Sequence, residues 1–175
     1  VYLFSRIAIV GLLSIGLGGA QQDVFPEVKG HNLDGKKVTV PADLAGEWRL
    51  LLVGFESDHE REAESWFEAM PELKQKYPAL ECYEIATTPK SYRFAQFALD
   101  REMKYEIHDV ERRARIIRVY VDQRAFEHAL GITSEAREAV LLIDRKGVVR
   151  WRGDGIYYEL KGVDLRSALK KLTAG

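Results

Sequence analysis

The stretch RLLLVGFE, Arg49 to Glu56, constrains the fold of this chain more than any other. A short, unbroken apolar run bounded by charged residues shows neither the alternation of a half-buried strand nor the spacing of a surface helix. It is the pattern of a strand covered on both faces. A sheet with such a strand at its centre needs helices on each side, and the flanking sequence has to supply them.

It does so at once. Ser57 followed three residues later by Glu60 makes a capping box, and Ala63, Trp66, Phe67, Met70, Leu73 and Tyr77 then recur at helical spacing. That spacing predicts a helix of about five turns, kinked at Pro71 by the missing backbone donor. LECYEIATTP, Leu80 to Pro89, alternates as a strand, and Ser91 to Glu106 returns to helical spacing. The basic knot Arg112 to Arg115 passes into a strand at Ile116 to Val121, and QRAFEHALGI predicts a short helix closing at Gly131. AVLLIDRKGVVRWRGDG is a hairpin turning at Arg145 to Gly147, and Val163 to Thr173 is a terminal amphipathic helix. Upstream, the turn signal Asp34-Gly35 and a strand at Lys37 to Val40 predict a hairpin and a connector. Strands separated by helices imply right-handed parallel crossovers, and the closing hairpin adds antiparallel strands at one side. The expected fold is α/β, a mixed central sheet with helices on both faces and a C-terminal hairpin plus helix.

This order, with the hairpin and the stretch Ala69 to Leu73 (AMPEL), resembles the thioredoxin-like fold, in particular its TlpA-like periplasmic and peroxiredoxin-like branches. The resemblance covers roughly Phe25 to Ala174. A narrower one lies in LGITSEAREAVLLIDRKGVVRWRGDG, which is similar to the C-terminal half of the thioredoxin-like assembly factors of the mitochondrial ATP synthase, a family that also lacks the redox cysteine pair.

The broader resemblance implies thiol chemistry, which needs a cysteine of lowered pKa at the first helix N-terminus. Aligned on Pro71, the two cysteine slots fall on Ala63 and Trp66; aligned on the strand end at Phe55, they fall on Glu60 and Ala63. Neither alignment supplies sulfur. The family's cis-proline, just before the next-to-last strand, would fall at Glu138 or a neighbour, where the sequence has no proline. Cys82, the one cysteine, is expected to be a small core residue; the competing reading is a thiol–disulfide or peroxide enzyme using Cys82 alone. A further alternative is a metal carrier at Asp58, His59 and Glu60, although copper and zinc prefer softer, better-spaced ligands. The plainer reading has Asp58 and Glu60 complement the helix dipole while His59 is solvated. His31, His108 and His128 are far apart and accompany no nucleophile turn. No catalytic residue, metal site or cofactor is assigned.

What remains is a surface. Asp58, His59, Glu60, Trp66, Glu138, Trp151 and Arg152 form the candidate binding surface, since exposed aromatic and arginine residues dominate hot spots. The basic knot is expected to be a solvated helix face balanced by Glu106, Asp109 and Glu111. Residues 1–20 have the layout of a secretory signal peptide, with Arg6, an apolar run from Ile7 to Leu17 and small residues to Ala20; left uncleaved, they would tie the chain to a membrane. Residues 21–175 are then a single domain, expected in the periplasm or outside the cell. With 26 basic and 27 acidic side chains the protein has no nucleic-acid footprint. The expected function is a non-catalytic protein-binding or assembly module with a protein partner in the cell envelope.

Overall fold

The computed structural model describes residues 23–55, 59–95, 98, 101 and 104–174. The expected signal peptide and the Ser57 half of the capping box lie outside them. Among the described residues no helix is long and apolar enough to cross a membrane.

Seven strands form one sheet: β1 (Val28–Asn32), β2 (Lys37–Val40), β3 (Trp48–Gly54), β4 (Leu80–Pro89), β5 (Ile116–Val121), β6 (Ala139–Ile143) and β7 (Val149–Asp154), in the order β2-β1-β5-β4-β3-β6-β7. The three strands β3, β4 and β5 run parallel at the centre, and the remaining pairs are antiparallel. Leu50, Leu51, Leu52 and Val53 are wholly buried, as an unbroken apolar strand requires. Alternate residues serve two cores. Leu51 and Val53 join Phe55, Phe126 and Leu130 on one face, where helix α3 (Gln123–Leu130) lies. Leu50 and Leu52 join Trp66, Met70, Leu73, Leu165 and Leu169 on the other, beneath α1 (Glu60–Lys76) and α4 (Glu159–Thr173). The α/β thioredoxin-like architecture expected from the order of elements is the one observed.

The differences from expectation have local causes. Helix α1 starts at Glu60 with His59 at its N-cap, makes no side-chain cap hydrogen bond there, and continues through Pro71. Lys90–Ala95 is a 3₁₀ turn, so one α-helix does not span Ser91 to Glu106, part of which lies outside the described residues. The basic knot is the short helix α2 (Val110–Arg115), capped by Asp109, whose carboxylate accepts from the Glu111 and Arg112 amides. Its arginines are not balanced by the acids beside them in sequence. Arg113 reaches Asp34 at 3.1 Å, Arg115 pairs with Glu81, and Arg112 lies over the Phe67 ring at 4.8 Å and reaches Glu64 at 3.5 Å. They stitch α2 to other elements.

Helix α4 begins one turn earlier than periodicity suggests because Gly162 is helical, not a breaker. A β-carbon at Gly162 would stand 2.3 Å from the Tyr157 hydroxyl oxygen, and Tyr157 is itself held edge-on to Trp66 at 5.0 Å. Glycine fits where the helix meets that ring. Gly162→Ala should therefore lower stability in urea unfolding by about 1–3 kcal/mol, with part recovered by adding Tyr157→Leu. A gain of about 1 kcal/mol, the ordinary helix-propensity result, would contradict the packing argument.

Candidate functional site

The C-terminal ends of the parallel strands open beneath the first turn of α1, where this fold concentrates its chemistry. Small side chains make room there. Gly54 ends β3 opposite Ala86 of β4, and both lie on the α1 face because they share parity with Leu52 and Glu84. The space is filled by acids. Glu84 points to the same face as Leu52, its cross-strand partner, and Glu138 precedes β6. Glu138 Oε1 and His59 Cβ come within 3.6 and 3.9 Å of the point where a β-carbon on Gly54 would stand. Glu62, one turn into α1, accepts the Glu138 backbone N–H at 2.7 Å, and the Glu138 carbonyl accepts from Gly155 at 2.8 Å. The helix start is thus clamped to the entry of β6 and the exit of β7.

Glu138 is 1% exposed, His59 6% and Glu84 9%. Among the described residues, Glu138 Oε2 and His59 Nδ1 have no hydrogen-bond partner. Burial pushes the Glu138 carboxyl well above the ordinary glutamate range, and the charges of Glu84 and Glu62 push the same way against the pull of Arg112. Glu84 rises from 4.5 to about 7, again chiefly by burial, with Arg112 and Arg118 lowering it and Glu60 raising it. Burial thus favours the protonated form of both carboxyls. Such a group can in principle act as an acid, but neither of the two principal grooves of the described residues is lined by Glu84, Glu138 or His59.

The sequence-predicted surface is divided by the fold. Asp58 lies outside the described residues. His59 is buried, which corrects its assignment as solvated, and Glu60 is exposed. Trp66 is wholly buried, its indole donating to Gly155 O at 2.7 Å and packing edge-on to Trp151 at 6.1 Å. Trp66 and Glu138 therefore cannot be contact residues of a surface patch. Trp151 is half-buried and donates to Asp164 at 2.8 Å. Arg152, next along β7, points to the opposite face, where it reaches Leu130 O at 2.7 Å and Asp23 at 2.9 Å. These two form no common patch. Among the described residues no group of three His, Cys, Asp or Glu side chains is placed to hold a metal ion.

Cys82 faces the α1-side core at 2% exposure, and burial raises its thiol well above the ordinary value. It pairs with Leu50, four positions back from the Gly54–Ala86 pair, so it sits about 13 Å along the strand from the α1 N-terminus. A sealed neutral thiol cannot act as the nucleophile, which opposes the single-cysteine enzyme. Sequence reading missed Glu84 and placed neither Glu62 nor Arg112 beside it. Only Glu84 left a signal: it occupies the parity of Leu80 and Cys82, an acid at an apolar position.

No known protein family matches the sequence, and no curated protein does. Solved structures do match in fold. A candidate electron transfer protein from Aquifex aeolicus VF5 superposes with a TM-score of 0.64 at 11% identity, over 85% of this chain and 96% of that one. A thiol:disulfide interchange protein from Bacteroides sp. gives 0.53 at 19% identity, over 89% and 91%. The mitochondrial 2-Cys peroxiredoxin of Plasmodium falciparum gives 0.54 at 15%, over 86% and 92%. At these identities what is shared is the fold, which is thioredoxin-like.

The buried carboxyls set a sign for pH dependence. A carboxyl whose pKa is higher folded than unfolded is tolerated while protonated in both states, below about pH 4.5. Its share of stability is lost as pH rises through about 7. Urea unfolding of the parent chain should weaken between about pH 5 and about pH 8, and Glu84→Gln should remove about 3 kcal/mol of that loss. An unchanged pH profile in the variant would show that Glu84 is ionised in the folded protein.

Proposed function

We propose that the chain is a non-catalytic protein-binding or assembly module that works in the cell envelope, built on a thioredoxin-like scaffold. The observation that carries this reading is the set of groups at the α1 N-terminus. Neither pair of positions on which the fold's thiols would fall, Ala63 and Trp66 or Glu60 and Ala63, holds a cysteine, Glu138 stands just before β6, and the lone thiol is sealed in the core. A thioredoxin-like scaffold with glutamates gathered at the start of α1 and no thiol there offers no nucleophile for exchange, which supports a binding role. The export signal read in residues 1–20 and the resemblance to redox-inactive assembly factors support the location and the role.

The reading is tested by two measurements on the same preparation. Insulin reduction and peroxide consumption should stay at the rate without protein, with Cys82→Ser indistinguishable from the parent. An envelope partner captured by this chain should recapture it in the reciprocal experiment and co-elute with it at a fixed stoichiometry. Turnover that Cys82→Ser abolishes would overturn the reading, as would a failure of reciprocal capture.

A further inference from the structure

A second region differs from the candidate site in both charge and accessibility. A groove of about 1010 Å³ runs along β1 and β2 at the edge of the sheet and is walled on its far side by the 3₁₀ turn. Its lining includes the exposed cations Lys29, Lys37, Lys90 and Arg93, none of which has an acidic partner among the described residues. Lys104, also in the lining, is paired with Asp34 at 3.0 Å. A chain of net charge −1 has no general surplus of cations to scatter there, and against the two carboxylates of the lining, Asp34 and Asp43, its five cations leave a local positive field. His31 and Tyr120, whose rings stack at 6.2 Å and 16°, give the groove a flat aromatic floor. The 3₁₀ turn that supplies Lys90 and Arg93 also leaves Phe94 86% exposed. Exposed aromatic surface beside cations is the composition of an interface and not of a solvated face.

We infer that this groove is a docking site for an extended acidic segment of a protein partner, its carboxylates met by Lys29, Lys37, Lys90 and Arg93 and its apolar side chains by the His31–Tyr120 floor. The inference rests on the protein-binding reading above and names the surface and the partner's chemistry. Strand addition at β2 is not the mode. Asp43 closes the middle of that edge by accepting the Thr39 N–H at 2.7 Å and donating its own N–H to the Thr39 carbonyl at 2.8 Å. The segment is therefore held by side chains. Such contacts are screened by salt, and their loss on charge reversal is specific to the cations reversed.

The test uses a fluorescein-labelled hexapeptide alternating glutamate with leucine, its glutamine counterpart, and vesicles containing phosphatidylserine. Fluorescence anisotropy should report binding of the acidic peptide that weakens about tenfold between about 50 and about 500 mM salt. Lys29→Glu with Lys37→Glu should weaken it at least tenfold, whereas Arg150→Glu on β7, whose arginine is engaged with Asp144, should leave it unchanged. Thermal melts confirm that both variants fold. Equal affinity for the glutamine peptide, binding unaffected by the double reversal, or binding of the vesicles alone would each overturn the assignment. A native partner still captured by the double-reversal variant removes the groove and leaves the protein-binding reading intact; absence of any reciprocal partner removes that reading itself.

Discussion

Two glutamate carboxyl groups, those of Glu84 and Glu138, are held out of water beneath the first turn of α1, and the rest of the site follows from what that costs. An ionised carboxylate in an apolar setting is expensive enough that the group takes up a proton instead. The groups around it are arranged accordingly. Arg112 and Arg118 limit the cost at Glu84 while Glu60 adds to it, and Glu62 adds to the cost at Glu138. Glu62 spends one oxygen on the Glu138 backbone, which makes the entry of β6 part of the helix start. The resulting junction depends on protonation and carries no thiol.

That junction is anchored from behind by Trp66. Its ring fills the α1-side core, its N–H satisfies the Gly155 carbonyl, and its edges meet Trp151 and Tyr157. Tyr157 in turn demands glycine at position 162. One indole thereby sets the relative placement of α1, the end of β7 and α4, and a residue expected at a surface works from the interior. The groove proposed for a partner lies at the other end of the sheet, where β1 and β2 carry Lys29 and Lys37, which have no acidic partner among the described residues.

Much of the fold could be read from the sequence because its signals are local. The apolar run of β3, the alternation of β4 and the Asp144–Gly147 turn each depend on neighbours a few residues away, and each appears where periodicity puts it. The site was less legible because its causes are non-local. Nothing in AREAVLLI marks Glu138 as buried: its burial comes from the small Gly54 across the sheet and from Glu62 on a distant helix. His59 reads as solvated within SDHE for the same reason. The arginine knot reads as a self-balanced face because its true partners, Asp34, Glu64 and Glu81, lie far off in sequence.

The central claim is that the carboxyls buried beneath the first turn of α1 are protonated. It is tested most directly by following the side-chain carboxyl carbons of Glu84 and Glu138 by NMR as pH is raised, assigned by substituting each with glutamine in turn. The account predicts that Glu84 titrates near 7 and Glu138 well above the ordinary glutamate range. Titration of both near the ordinary glutamate value of 4.5 would contradict it.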